Sequence, residues 1–200
     1  MVLYVARHGQ TQWNAENRVC TRTDLPLTPV GIAQAEALAE KAADLGIDLI
    51  ISSPMQRAHK MADIIAARCG AEVIVDVRLT EQDCGIYEGV DRQDPRFLAG
   101  KRQFAIRHPG GESMMDMAGR LYPLLREIKE KYPDKTVLLA CHGGVCRVIR
   151  TYFMWICPMR SSPPILPPTA PWSGMNYNLK VRTLVQGPDF FETMAQFHVI

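Results

Sequence analysis

Residues 2–11 read V-L-Y-V-A-R-H-G-Q-T: five apolar positions, then a cation, an imidazole and a glycine. The apolar run predicts a short buried strand over Val2–Ala6, which delivers Arg7 and His8 to the end of a sheet. Open α/β sheets bind their ligands at that edge. Gly9 beside His8 lets the backbone approach a ligand closely and frees amide donors. An arginine, an imidazole and exposed amides on one turn suit a phosphate. Taken alone, the cluster also fits a strand end with a surface arginine and a partly buried histidine. Distant residues have to choose between the two.

Composition sets the frame. Two hundred residues at 47% hydrophobic suffice for one globular domain with a substantial core, and we expect a single domain over 1–200. A formal charge of +2, with Lys and Arg spread along the chain, gives no nucleic-acid or membrane surface. No apolar run approaches transmembrane length. Six cysteines (Cys20, Cys69, Cys84, Cys141, Cys146, Cys157) show no C-x-x-C spacing. Without a signal peptide they are expected to be reduced thiols of a cytoplasmic protein.

A long polar loop, Gly9 to Leu27, follows the first strand; such loops are usually functional. Thr28-Pro29 opens a helix, with threonine as cap and proline at the first helical position, and Gly46 ends it. Asp48–Ser52 is a second strand, Ser53-Pro54 starts a second helix, and Gly70 stops that helix. Glu72–Val77 is a third strand, followed by a loop carrying Glu81 and Gly85. Residues 94–107 are compatible with a short basic helix, broken at His108-Pro109-Gly110-Gly111. A long helix over Ser113–Tyr132 leads to a fourth buried strand, Thr136–Ala140, then a helix to about Trp155. A proline-rich loop, 158–174, precedes two tail strands near 176–185 and 191–199. This order implies a three-layer α/β/α fold with a mainly parallel mixed sheet.

Two strands end alike, in Arg7-His8-Gly9 and in Cys141-His142-Gly143. Parallel strands would bring His8 and His142 to one rim, with Arg57 in the first turn of the second helix and Glu81 beyond the third strand. Rivals exist. Arg57 is also compatible with a surface pair to Asp63, Glu81 competes with Asp83 and Glu88, and Cys141, His142 and Cys146 suggest zinc only weakly. Glu88 is better suited to bracing the loop, and Glu112 fits a helix-start carboxylate or a partner of the pocket equally well.

The ordered motifs R-H-G-Q-T with W-N following, D-L-P-L-T-P-V-G, S-S-P-M-Q-R-A, L-T-E-Q-D-C-G-I-Y-E-G, P-G-G-E-S and C-H-G-G together resemble the histidine phosphatase superfamily, with its phosphoglycerate mutase-like fold. The resemblance runs from about Leu3 to Phe153. It implies that His8 is a nucleophile forming a phosphohistidine, while Arg7, Arg57 and His142 clamp the phosphoryl oxygens. It implies that Glu81 protonates the leaving oxygen and later deprotonates water. Asn14 and the Gly143 amide would add hydrogen bonds to the phosphate. No metal and no cofactor are implied, because cationic side chains supply the charge. The expected partner is a small phosphorylated substrate.

Two positions depart from the family pattern. Thr21 stands where a glycine amide usually approaches the phosphate, so its side chain is expected to crowd or re-aim the pocket. Cys141 replaces the usual serine or threonine. About sixty residues separate Glu81 from His142, too few for the long insertion of the mutases, so a phosphomonoester hydrolase is expected. Mutase-type phosphoryl transfer and a non-catalytic phosphate-binding domain are the alternatives.

Overall fold

The structure, a computed structural model, describes residues 1–156 and 180–184. Five strands form one sheet: β1 (Val2–Arg7), β2 (Leu49–Ser52), β3 (Glu72–Val75), β4 (Thr136–Cys141) and β5 (Lys180–Leu184). Their spatial order is β3-β2-β4-β1-β5, and every pairing is parallel. The helices are α1 (Gln12–Ala15), α2 (Pro29–Ala42), α3 (Gln56–Cys69), α4 (Pro95–Lys101), α5 (Met114–Lys131) and α6 (Gly143–Ile156).

Alternation along the strands builds two cores. Leu3 and Val5, Leu49 and Ile51, and Val137 and Leu139 face α5 and α6, against Met117, Leu121, Leu124, Val148 and Ile149. Their neighbours Tyr4, Ala6, Ile50, Leu138 and Ala140 face α2 and α3, against Ala35, Leu38, Ala39, Met61 and Ile65. Successive side chains of a strand point to opposite faces, so a continuous apolar run serves both layers. Each large side chain buried this way contributes about 2 kcal/mol. The buried residues of α2 are mostly alanine, which lets that helix lie close to α3.

The topology places the site. From β1 the chain moves to β2 and then β3 with α2 and α3 on one face. It then reverses, reaching β4 and β5 with α5 and α6 on the other face. Right-handed crossovers require this change of face. The reversal falls between β1 and β4, whose following helices diverge and leave a crevice at the strand ends. Arg7 pairs with Cys141 in register, and the His8 amide donates to the Cys141 carbonyl at 3.0 Å. His8 and His142 therefore leave the sheet side by side.

Several boundaries differ from the sequence reading. The Gly9–Leu27 loop contains the short α1, closed by a capping box between Thr11 and Asn14. Ser53 and Pro54 stay outside α3, because Met55 is its cap residue with extended backbone. Val77 leaves the third strand for a 3₁₀ turn, 77–79, which Asp76 caps by accepting from the Arg78 amide. The basic helix is the seven-residue α4, and residues 102–107 lie outside it. The predicted tail strand 176–185 includes β5. The proline-rich segment and the strand predicted over 191–199, on which a mixed sheet would depend, lie outside the described residues. No helix of the described residues is long and apolar enough to cross a membrane.

Candidate active site

His8 stands at the floor of the crevice, nearly buried. Its Nδ1 lies 2.7 Å from the Gly9 carbonyl, which accepts only if Nδ1 carries the proton. Nε2 then holds the lone pair, and Arg57 Nε donates to it at 3.2 Å. Burial, then the guanidinium charges of Arg57 and Arg7, hold the imidazole well below its ordinary range. His8 is neutral at neutral pH, with an unprotonated Nε2 whose lone pair Arg57 engages.

Arg57 is fully buried, the largest side chain to be so among the described residues. Its donors are met by oxygen, nitrogen and sulfur. Nη2 reaches the Thr21 carbonyl at 2.7 Å and Met55 Sδ at 3.3 Å, Nη1 reaches the Thr23 carbonyl at 3.0 Å, and Nε reaches His8. Its carboxylate neighbour, Asp24, stands 3.9 Å away and is half exposed. The alternative of a surface pair with Asp63 is excluded, since Asp63 lies 3.9 Å from His59 instead.

His142 is fully buried, its ring 5.0 Å from that of His8 and tilted by 64°. Its Nε2 lies 2.8 Å from Ser53 Oγ, at the end of β2. Nδ1 is buried and has no hydrogen-bond partner among the described residues. A buried orphan of this kind calls for an explanation, and a ligand oxygen supplies one. Burial, then the neighbouring His8 ring and the guanidinium charges of Arg57 and Arg7, hold this imidazole too well below its ordinary range. Arg7 lies beside the start of α6: a Cβ on Gly143 would stand 3.5 Å from Arg7 Nε.

Glu81 is buried, and its two oxygens accept from the Gln82 amide at 2.8 Å and the Gly144 amide at 3.0 Å. Gly144 has no room for a side chain, because a Cβ there would come within 2.5 Å of Glu81 Oε1. Arg120 supports the same turn through the carbonyls of Arg78 and Glu81. Asn14 turns its Oδ1 to the Thr11 amide, at 3.2 Å. That leaves its amide nitrogen without a partner among the described residues.

Gly9 has a packing reason that the sequence reading did not include. A Cβ there would collide with the backbone of Gly31 on α2, and one on Gly31 would collide with Gln10. The pair of glycines lets the loop after His8 rest on the first turn of α2, so packing explains Gly9. Thr21 is a brace rather than an obstruction. Its hydroxyl and its amide both donate to Glu88, the amide at 3.0 Å, and its carbonyl holds Arg57. Glu88 also accepts from the amides of Arg22 and Thr23. Burial alone would raise its pKa, but these hydrogen bonds outweigh burial and lower it. Glu112 proves to be a partner of the loops, accepting from Arg120, Arg22 and the Asp83 amide.

Cys141 and Cys146 touch at 3.6 Å while His142 turns to Ser53. Among the described residues no three His, Cys, Asp or Glu side chains group as metal ligands do. His108 is a core residue, stacked on Phe97 and edge-on to Tyr87. Ser53 belongs to S-S-P-M-Q-R-A, yet sequence reasoning gives it no role. Its position directly after a predicted strand, level with His8 and His142, is the available signal.

A doubly wound sheet with two neutral histidines and two arginines at its switch point defines an enzyme site for an anionic group. The family model of the histidine phosphatase superfamily (branch 1) matches residues 3–186, and the chain belongs to that superfamily, whose members include mutases and phosphatases. A protein of Salmonella typhi named probable phosphoglycerate mutase GpmB is 39% identical over 148 residues, 70% of this chain and 69% of its own. The mycobacterial glucosyl-3-phosphoglycerate phosphatase Rv2419c superposes with a TM-score of 0.70 at 31% identity, over 76% of this chain and 78% of its own. TTHB049 from Thermus thermophilus superposes at 0.61 with 33% identity, over 74% and 81%. The fold is that of the phosphoglycerate mutase-like α/β enzymes.

Proposed function

We propose that the protein hydrolyses small phosphomonoesters through a phosphohistidine on His8, without a metal. The state of His8 carries this reading: Nδ1 is tied to the Gly9 carbonyl, so Nε2 presents a lone pair, and Arg57 fixes its direction. Nε2 attacks phosphorus, the bond to the leaving alkoxide oxygen breaks, and the proton on Glu81 passes to that oxygen. Water then attacks the phosphohistidine while Glu81 takes its proton, the P–N bond breaks, and inorganic phosphate leaves. Arg7 and Arg57 would offset the oxygen charge, and His142 Nδ1, the Asn14 amide nitrogen and the Gly143 amide would donate to the same group; that Nδ1 is buried without a partner among the described residues supports this. The separation of only about sixty residues between Glu81 and His142 favours hydrolysis over mutase-type transfer.

The test is p-nitrophenyl phosphate hydrolysis from about pH 5 to 8 with EDTA present, in wild type and His8→Ala. Activity that resists EDTA and falls by at least ~10⁴ in the variant supports the reading. Activity that survives in His8→Ala overturns it, and efficient bisphosphoglycerate-dependent exchange between 3- and 2-phosphoglycerate would establish a mutase instead.

A further inference from the structure

His8 and His142 stand side by side, yet the chemistry asks opposite things of them. His8 has to offer a lone pair to phosphorus, whereas His142 has to offer an N–H to an oxygen. A neutral imidazole carries one proton, so each role needs that proton on a particular nitrogen. The Gly9 carbonyl settles the matter for His8, because a carbonyl only accepts. For His142 the neighbour is the Ser53 hydroxyl, 2.8 Å from Nε2, and a hydroxyl can either donate or accept.

The surroundings of Ser53 decide the direction. Ser53 and His142 are both fully buried, so the polar atoms of each need partners within the protein or on a ligand. Ser53 Oγ already accepts from the Met55 amide at 3.3 Å, and an amide N–H can only donate. The hydroxyl hydrogen therefore needs an acceptor, and among the described residues the one in reach is His142 Nε2. The reverse arrangement, with the proton on Nε2, would leave that hydrogen without an acceptor and a bare lone pair on the buried Nδ1. With O–H donating to Nε2, the group left over is Nδ1–H, which an incoming phosphoryl oxygen would take. The hydroxyl is also held from behind. The Ser53 amide donates to the Ala140 carbonyl at 2.9 Å, on the strand that leads to His142, and the Ser52 hydroxyl donates to the Ser53 carbonyl at 2.9 Å.

We propose that Ser53 is a positioning residue that fixes the tautomer of His142: its hydroxyl donates to Nε2 and so keeps the proton on Nδ1 as a donor for the phosphoryl group. This rests on the reading of the crevice as a phosphoryl site. Both histidines then carry their proton on Nδ1 and turn opposite nitrogens to the substrate. The bonds from Met55 N–H to Ser53, from Ser53 O–H to His142 and from Nδ1–H to the phosphoryl oxygen all run one way, so each strengthens the next.

The experiment is proton–nitrogen NMR correlation of the histidine rings in the nitrogen-labelled full chain at neutral pH, with His142 assigned by its loss in His142→Gln. The expected spectrum has the His142 proton on Nδ1, and Nε2 displaced from the position of a free lone pair towards that of one accepting a hydrogen bond. A proton on Nε2, or an undisplaced Nε2, overturns the proposal in wild type alone, whether or not any variant folds. In Ser53→Ala, His142 should populate the Nε2–H form. Inorganic phosphate should then bind about tenfold more weakly, with a similar fall in kcat/KM for p-nitrophenyl phosphate. Ser53→Thr, which retains the hydroxyl, should keep the wild-type tautomer. A folded Ser53→Ala that loses activity with its His142 tautomer unchanged would make Ser53 a packing residue and overturn the assignment. Failure of the underlying reading shows separately, as p-nitrophenyl phosphate hydrolysis that is absent or survives His8→Ala. The tautomer is still read from the spectrum in that case, and equal affinity for inorganic phosphate in wild type and Ser53→Ala rejects the positioning role.

Discussion

The arginines of the outer surface and those of the crevice are treated in opposite ways. Outside, several are neutralised by a neighbour: Arg68 by Glu40 at 3.0 Å, Arg78 by Asp76 and Glu127 at 2.7 and 2.8 Å, Arg96 by Asp94 at 2.8 Å, and Arg107 by Asp116 at 2.6 Å. Inside, Arg57 directs its donors to carbonyls, a thioether and an imidazole, while Arg7 and Arg147 meet no carboxylate at bonding distance among the described residues. A guanidinium paired with a carboxylate has little left for a ligand. One held by neutral acceptors keeps its charge for an anion that arrives later.

Breaking the inner arrangement should give the largest effect. Arg57→Met keeps much of the volume but strips the donors from the Thr21 and Thr23 carbonyls and from His8 Nε2. The Thr23 carbonyl keeps the Leu25 amide, at 3.2 Å, but the buried Thr21 carbonyl left unpaired is expected to cost about 2 kcal/mol of stability. Loss of a fixed cation at the transferring group should lower kcat/KM for p-nitrophenyl phosphate by about 10³. The same variant sharpens the account of His8. Burial, the leading cause of its low pKa, survives in Arg57→Met, whereas the first of its electrostatic causes is removed. Histidine ring NMR should therefore show the His8 pKa rising part of the way towards ~6.5. An unchanged rate would mean that Arg57 only braces the loop.

The buried imidazoles predict a smaller, pH-dependent effect. His8 and His142 both stay neutral in the folded chain, His142 because of burial first and then the neighbouring His8 ring and the charges of the arginines. The unfolded chain binds protons at both once the pH falls below ~6.5, so stability is complete above that pH and declines below it. Between pH 7.5 and 5.5 each should cost about 1.4 kcal/mol, roughly 3 kcal/mol together. His108, lowered by burial and then by Arg147, acts in the same sense. Urea unfolding at the two pH values measures this directly. His142→Gln should remove one histidine's share of the difference, and an equal difference in the variant would refute the assignment.

Much of this was legible in the sequence, because strand ends and helix starts leave local marks. The paired endings Arg7-His8-Gly9 and Cys141-His142-Gly143 located both histidines, and the parallel register then joined them. What the sequence concealed were contacts made across long separations. Nothing local to Thr21 indicates that Glu88, 67 residues away, would take both its hydroxyl and its amide. Nothing local to Gly9 reveals Gly31, whose backbone leaves no room for a side chain there.

The smallest expected effect tests the outer half of the comparison. Arg68 on α3 makes two bonds to Glu40 on α2, at 3.1 and 3.0 Å, in a geometry that looks strong on paper. Both side chains are more than half exposed, so water already solvates them and salt screens them. Ordering two long side chains also costs entropy that offsets the attraction. Arg68→Ala should therefore change the unfolding free energy by less than about 0.5 kcal/mol and leave phosphatase kinetics alone. The pairs on the outside would then matter chiefly for what they prevent, since every arginine they neutralise is one fewer site competing with the crevice for a phosphorylated anion. A loss of several kcal/mol in Arg68→Ala would show instead that the outer pairs hold α2 against α3, and the contrast between the two populations would fail.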